Sequence, residues 1–545
     1  FEDVEKASGA EKKLKFIFNK NMKMMLKGSS IFPIMRLLLP MNDSERGSYG
    51  LKQTTIARVY IEVLHLNKQS TDAHWKDPSK MHSSSNANRT ISGDFCSILE
   101  SILLNRVRTE YSNSTVGEIN ILLDKLSQCV GPKKTEFIKN NIKDQFNAKE
   151  QKWLMRLVFQ DLKIGLRHEQ VLNHFYPNAL QRYNETTNLR KICEDENKQG
   201  GGCGIQLFNI YKPMLAKGFP RSSSGQVYVV ENVMHNKEFY ADIKLDGERI
   251  ACHISLPNNT DPNSSVTDTS EYEVMFVTRN GSDYTSIYKP LAEYVCHRIK
   301  PGITALILDG EVCGWDEQLQ SNVAFGSNQS LARNEREEYN SCEDEGSNGS
   351  QTVLDAYLNL NQWLNYTVFD MLYVEGAFGQ QLIHKYRGYS MEGEPGPGSN
   401  SGSTSSSGGS GGWESVEGGE ITQLPLYIRR HVLRDCFTPT VNRFQYITGE
   451  LIKLVYKPGE VGVAPVGPVG VGSGSNIDIS GSNTGPEGQQ WVIGERRRLL
   501  EEFYNVAIEG GEEGLVVKDA RSVYELGSRK DYWVKMKPGM YIVCL

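Results

Sequence analysis

Lys244 is the residue whose neighbours most suggest chemistry. In Phe239-Tyr240-Ala241-Asp242-Ile243-Lys244-Leu245-Asp246-Gly247-Glu248-Arg249 it closes an extended apolar run and sits among acidic, glycine and arginine residues. A free lysine has a pKa of roughly 10.4, so it is a nucleophile at neutral pH only where burial or nearby positive charge lowers that value. Attack on the α-phosphorus of a nucleoside triphosphate would give a covalent lysyl-nucleotide and divide one hard step into easier ones. The same residues also suit a solvated strand-turn bent at Asp246-Gly247. Lys-x-Asp-Gly alone does not choose between the two.

Four segments further along supply residue types that nucleotidyl transfer needs. Leu306-Ile307-Leu308-Asp309-Gly310-Glu311-Val312 is a short apolar strand ending in a carboxylate suited to a ribose hydroxyl or Mg2+. Tyr366-Thr367-Val368-Phe369-Asp370-Met371-Leu372 reads as a buried strand presenting an aromatic ring for a purine. In Glu512-Glu513-Gly514-Leu515-Val516-Val517-Lys518 the odd spacing of Glu513 and Lys518 puts them on opposite faces of an ideal strand. Gly514 must therefore re-aim the chain for the pair to converge. Trp533-Val534-Lys535-Met536-Lys537-Pro538 carries two lysines on one strand face, a cationic clamp for phosphate oxygens. Each segment singly has a structural reading as turn, core aromatic or solvated edge. Their order along the chain is what carries the chemical one.

The elements that must hold these residues fall into two textures. Residues 1–200 read as helices: Ile31–Pro40 is an apolar segment bounded by prolines, and Thr54–Leu66 and Gln151–Ile164 have apolar residues at helical spacing. In the last of these, Lys152, Arg156 and Lys163 lie along one flank and lead into Gly165, where backbone can approach a phosphate closely. After Gly200-Gly201-Gly202 the chain turns to short β-rich runs such as Val227–Val230, Glu273–Val277 and Ala305–Leu308, and the boundary is expected near residue 208. Stretches near 390–419 and 458–488 are rich in Gly and Ser or in Gly, Val, Pro and Ser, and are expected as disordered surface inserts. Leu424–Cys436 between them is expected to form a helix packed on the core.

Bulk properties set bounds. A chain of 545 residues, 39% of them hydrophobic, has material for two to four domains. No apolar run reaches the roughly 18 residues of a membrane span. The first residues show no secretory apolar region. The ten cysteines include no C-x-x-C pair, which argues against a zinc or redox motif. Cys193 and Cys203 flank the glycine run and could pair only in an oxidising compartment. The net charge of −6 hides an asymmetry: residues 1–200 carry a net +8 and residues 201–545 a net −14. The non-specific grip on nucleic acid is expected in the basic part.

Lys-Leu-Asp-Gly-Glu-Arg, Leu-Asp-Gly-Glu-Val, Val-Phe-Asp-Met-Leu, Glu-Gly-Leu-Val-Val-Lys and Trp-Val-Lys-Met-Lys-Pro resemble the successive motifs of the ATP-dependent DNA ligases. Ser48–Lys52, Tyr60–Leu64, Lys152–Arg156 and Asp161–Leu166 resemble the N-terminal domain of the eukaryotic ligase IV branch, and Tyr211–Ala216 and Thr278-Arg279-Asn280-Gly281 extend the likeness into the catalytic part. The resemblance implies a multidomain protein. An all-α DNA-binding domain (1–208) would precede an α+β nucleotidyltransferase (adenylation) domain of antiparallel sheets with flanking helices (209–545).

It also implies site roles. Lys244 matches the adenylated lysine, with Asp242, Ile243 and Leu245 beside it in the ATP site. Asp242 stands where the family usually has a glutamate near the adenine amino group. Arg249 matches the arginine contacting the ribose and the DNA 5′-phosphate, Glu311 and Glu513 the Mg2+-linked carboxylates, and Phe369 the adenine-stacking ring. Lys518, Lys535 and Lys537 match phosphate-binding lysines, and Arg279 falls with the DNA contacts. Relatives often carry a further cofactor-facing lysine where this chain reads Asn322-Val323-Ala324-Phe325-Gly326, so that contact is not carried over.

The implied activity is joining of breaks in duplex DNA through lysyl-AMP and DNA-adenylate, with ATP and Mg2+, in the nucleus, as in repair by non-homologous end joining. The implied partner of the full-length protein is a coiled-coil end-joining scaffold, whose contact region this chain is expected to lack. An OB-fold and BRCT repeats, which in relatives follow the lysine clamp, are not in this sequence, so a fragment with weak unassisted sealing is expected. A replicative-type ligase, a capping guanylyltransferase or RNA ligase, and a non-catalytic DNA-end-binding module remain as alternatives.

Overall fold

Large apolar residues at helical spacing build the first of two units of the computed structural model, Phe1–Gly202; the second is Cys203–Leu545. The described residues are 1–26, 29–66, 94–194, 204–218, 229–235, 237–256, 272–324, 326–344, 360–387, 419–453 and 486–538. The division falls six residues before the position expected from the change of texture, and most of the two expected inserts lies outside the described residues.

Among the described residues of the first unit every regular element is helical. Met35, Ile56, Leu99, Leu103, Leu123, Leu126, Met155 and Leu172 form its core. Helix Ala148–Val158 opens on a capping box, Asn147 accepting from the Glu150 N–H while the Glu150 carboxylate accepts from the Asn147 N–H. The helix expected to run to Ile164 stops at Val158, and Gln160 and Lys163 take φ angles of 56° and 53°. Two left-handed residues within four positions cannot continue a right-handed helix.

The described residues of the second unit form eleven strands: β1 Lys217–Gly218, β2 Phe239–Ile243, β3 Glu248–Ser255, β4 Glu273–Thr278, β5 Ala305–Asp316, β6 Ser321–Asn322, β7 Gln362–Glu375, β8 Phe444–Tyr446, β9 Gly449–Ile452, β10 Leu515–Asp519 and β11 Trp533–Met536. One sheet has the order β1-β11-β10-β2-β9 and the other β4-β3-β5-β7-β8, with β6 on β5. The expectation of purely antiparallel sheets is corrected here. The pairs β1/β11 and β7/β8 are parallel, so both sheets are mixed. A second correction concerns Val227–Val230: residues 229–233 form a π-helical turn, and 227 and 228 lie outside the described residues.

Period-2 alternation explains the layers. On β3, Ile250, Cys252 and Ile254 face a core shared with the helices Lys289–Cys296, Ala377–Arg387 and Leu426–Cys436, through Leu291, Val295, Leu382, Ile383, Ile428 and Val432. The opposite face of that sheet, with Ala305, Ile307 and Leu372, packs on Tyr211, Met214, Tyr524 and Trp533. Sheet β1-β11-β10-β2-β9 is covered by helix Pro486–Glu509 through Leu500, Phe503 and Ala507. The residues singled out for chemistry lie on strands of both sheets or at their ends.

Candidate active site

Lys244 is the first residue past β2, and backbone pairing pins it there. Its N–H donates to the Gly514 carbonyl at 2.8 Å, and its carbonyl accepts from the Glu513 N–H at 3.2 Å. Gly514 has a φ of +121°, and a Cβ on it would run into the Met536 carbonyl of β11. The glycine thus turns Glu513 out of the path of β10, so that the Glu513 carboxylate meets the Lys244 ammonium while Lys518 points elsewhere. Lys537 Nζ lies 2.9 Å from the same carboxylate. After Lys244 the chain turns at Asp246-Gly247 against β5, where a Cβ on Gly247 would come within 2.6 Å of the Val312 carbonyl. That close approach leads into Glu248 and Arg249 of β3, paired in register with Val312 and Glu311 of β5.

Around this turn the electrostatics are uneven. Desolvation pushes the Glu311 carboxyl up to about 7, only partly offset by the charges of Arg249 and Lys244. Burial acts the same way on Glu513, but contacts with Lys244 and Lys537 outweigh it and hold that carboxyl below its ordinary value. Lys535 on β11 is lowered by burial and by the surrounding cations Lys537, Arg529, Lys244 and Arg279. These five basic side chains make a cationic margin suited to phosphate oxygens. Arg529 was not legible in the motifs; an arginine in a polar loop between two strands carries no periodic signal.

Phe369 belongs to β7 at a shift of register. Asp309 pairs with Asp370 and Gly310 with Val368, leaving Phe369 as the extra residue of a bulge. Bulges re-aim a side chain where ordinary pairing would hold it in the pleat. Cations approach the ring from two residues, with Lys518 Nζ 4.3 Å and Arg249 Cζ 5.2 Å from its centroid. Asp370 beside it is fully buried against Arg429, with contacts of 2.8 and 2.7 Å.

Asp242, also buried, accepts from both terminal nitrogens of Arg430 and from Lys518 Nζ at 2.8 Å. Burial alone would raise its pKa, and Arg430 and Lys518 reverse that to a lowered value. The structure thus puts Lys518 against Asp242 and the Phe369 ring, and the Glu513 carboxylate against Lys244 and Lys537. Arg430 is a further residue that sequence reasoning missed, because its partner is 188 positions away. Ile243 ends β2 and Leu245 follows Lys244, whose Nζ lies 3.3 Å from the Leu245 carbonyl. Asn322, in the segment where relatives often carry a lysine, donates to Glu512 at 3.0 Å.

A small cavity lined by Tyr211, Pro213, Arg249, Thr278, Arg279, His253 and Asp309 adjoins Arg249. His253 Nδ1 accepts from the Phe208 N–H at 3.1 Å, and burial lowers its pKa to about 3, so the ring is neutral.

In the first unit, two of the residues expected at DNA are buried among acids. Lys152 is 5% exposed, with Glu2, Glu100 and Glu5 at 2.9, 3.1 and 3.3 Å; Arg156 is 3% exposed, with Glu5 at 2.7 Å and Asp94 at 2.9 Å. Their charges are paired with acids inside the helical unit. Lys163 does not share their helix. It stays half exposed beside Asp161, near Gly165, which has a φ of +68°.

Residues 1–176 match the family model described as DNA ligase N terminus, and residues 213–456 and 486–537 match the one described as ATP dependent DNA ligase domain. DNA ligase 4 of Arabidopsis thaliana is 26% identical over 530 residues, covering 96% of this chain and 34% of that protein. DNA ligase 4 of Gallus gallus is 31% identical over 320 residues, covering 56% and 32% respectively. That of Dictyostelium discoideum is 27% identical over 551 residues, covering 94% and 39%. The chain spans about a third of the length of the curated relatives it matches. With the five motifs gathered at one turn between two mixed sheets and the catalytic family model spanning most of the second unit, the chain belongs to the family of ATP-dependent DNA ligases, and within it resembles DNA ligase 4.

Proposed function

We propose that this chain carries out ATP-dependent joining of DNA strands of the DNA ligase 4 kind, with Lys244 as the residue that takes up AMP. The observation that carries the reading is the placement of the Lys244 amine on the Glu513 carboxylate, which Lys537 also binds, where its charge acts on Glu311 and on Lys535. In the first step the Lys244 nitrogen, having lost a proton, bonds to the α-phosphorus of ATP as the bond to pyrophosphate breaks. An oxygen of the 5′-phosphate at a DNA break then displaces the lysine and takes the AMP. The adjoining 3′-hydroxyl oxygen attacks that 5′-phosphate, AMP leaves, and the strand is closed. Each transfer spreads negative charge over non-bridging oxygens, so positioning and electrostatics supply most of the catalysis. Lys535, Lys537 and Arg279 face that charge, Phe369 offers a ring to the purine, and Asp242 holds Lys518 against that ring.

Glu311 and Glu513 suit Mg2+, which is commonly held by one or two carboxylates together with substrate phosphates. When bound it would neutralise phosphate charge. The DNA substrate, the nucleus as the place of action and a coiled-coil end-joining scaffold as partner of the whole protein belong to the same proposal and rest on the likeness to DNA ligase 4.

Incubation with ATP labelled at the α-phosphate should leave label on the protein through denaturing electrophoresis, while GTP labelled in the same way should not. Lys244→Arg should abolish the label. Label persisting on Lys244→Arg, or transferred equally from GTP, would overturn the reading.

A further inference from the structure

Arg249 has little left to give a substrate. Its Nε donates to Asp309 Oδ1 at 3.0 Å, its Nη2 to Asp309 Oδ2 at 2.6 Å and to the Tyr524 hydroxyl at 3.1 Å, and its Nη1 to the Met214 carbonyl at 2.8 Å. Of the five N–H groups of a guanidinium, four are thereby used, and the one remaining is on Nη1. The Tyr524 hydroxyl is equally committed. It donates to Asp309 Oδ2 at 2.6 Å and accepts from Arg249 and, at 3.2 Å, from the Met214 N–H. One donor and two acceptor positions are what a phenol hydroxyl has.

We infer that Tyr524 is a positioning residue for nucleotide transfer, acting through Arg249 and touching no substrate itself. Asp309 binds one edge of the guanidinium and leaves the second hydrogen of Nη2 unspoken for. The hydroxyl takes that hydrogen and at the same time braces the Asp309 oxygen, so the guanidinium cannot swivel and its last N–H keeps one direction. The guanidinium so held lies beside the Phe369 ring, its Cζ 5.2 Å from the ring centroid.

The hydroxyl itself is held on every side. Tyr524 is 1% exposed, its ring meets Trp533 edge to face at 5.7 Å, and its N–H donates to the Thr422 carbonyl at 2.8 Å. Its loop is tied to the segment around Met214 by Gly527 N–H to the Lys212 carbonyl at 2.8 Å and by Leu215 N–H to the Ser528 carbonyl at 2.9 Å. One phenol therefore joins β3, β5 and the Lys212–Leu215 segment at the arginine.

The inference rests on the proposed adenylation of Lys244, and a mutant cycle separates the two. Single-turnover formation of lysyl-AMP over a range of ATP is measured for the unaltered chain, Tyr524→Phe, Arg249→Lys and the double variant, together with the unfolding temperature of each. Tyr524→Phe keeps the ring and loses only the hydroxyl, and should lower the rate divided by the KM for ATP about tenfold, the scale of one hydrogen bond to a charged group. In the Arg249→Lys background the same change should cost less than about twofold, because the group it acts through is already gone. A tenfold loss in both backgrounds, or unaltered transfer in Tyr524→Phe, overturns the inference; no lysyl-AMP in the unaltered chain overturns the functional reading instead. A purely structural tyrosine would lower the unfolding temperature in both backgrounds and leave transfer well below that temperature intact. If Tyr524→Phe does not fold, 3,5-difluorotyrosine at the same position keeps the shape and strengthens the donation, and unchanged transfer there overturns the inference equally.

Discussion

Asp242 shows at the scale of one residue how a motif position can be legible and its partners not. The family pattern led to an acid two residues before the lysine, but Arg430 and Lys518, which keep it charged, come from segments 188 and 276 positions away in the chain. Removing one member of such a buried set leaves uncompensated charge, at a cost of about 3–5 kcal/mol. Asp242→Asn should therefore unfold at markedly lower denaturant as well as bind ATP less well, measured by chemical denaturation and by label transfer. His253 gives a pH prediction of definite sign. Its pKa falls from 6.5 to about 3 on folding, so between those values the unfolded chain binds the proton and the folded one does not. The stability it contributes is present above about 6.5 and is lost as pH falls towards about 3. His253→Asn, which retains an acceptor for the Phe208 N–H, should lose less stability over that window than the unaltered chain in thermal unfolding at stepped pH.

At the scale of elements, two devices set the site. Gly514 lets Glu513 leave the line of β10, and Ala there would both strain a left-handed backbone and push against β11. Gly514→Ala should cost about 1–3 kcal/mol and reduce lysyl-AMP formation more than stability alone accounts for, checked by comparing label transfer well below the unfolding temperature. Helix Leu426–Cys436 is the second device. Its Arg429 holds Asp370 beside Phe369 and its Arg430 holds Asp242, so one helix reaches both sheets. The apolar spacing made the helix itself readable, with bounds within two residues. The two arginines were not readable, because a charged residue on an amphipathic helix is ordinarily solvent-facing. Lys152 and Arg156, whose place on a basic flank suggested phosphate contacts, are likewise paired with acids that local spacing does not reveal. Lys152→Ala and Arg156→Ala should lower the unfolding temperature of the chain and leave the slope of log Kd for duplex DNA against log salt nearly unchanged.

At the scale of the whole molecule, the two units carry different charge, with a net +8 over residues 1–200 and −14 over the remainder. Affinity for duplex DNA that comes from the basic unit should fall steeply with salt, whereas lysyl-AMP formation, carried by residues of the second unit, should depend on salt only weakly. Fluorescence titration with a nicked duplex and label transfer from ATP, each from 50 to 300 mM salt, would show the two slopes; equal slopes would contradict the division of labour. The range is on the order of that over which counterion release is resolved.

What the sequence determined by itself is the family and the candidate residues: a lysine in an acidic and glycine setting, carboxylates and an aromatic at strand ends, and alternating or helical apolar spacing that marks the elements holding them. These are local properties, set by neighbours within a turn or a strand, and short-range sterics and burial preferences enforce them wherever the chain folds. What only the tertiary structure decided is which charges meet: Asp242 with Arg430 and Lys518, Arg249 with Asp309 and Tyr524, Lys152 with Glu2 and Glu100. Such pairs form between residues tens to hundreds of positions apart, and nothing in local spacing encodes them. Desolvation then makes each buried charge take the partner that the packed sheets and helices bring within reach.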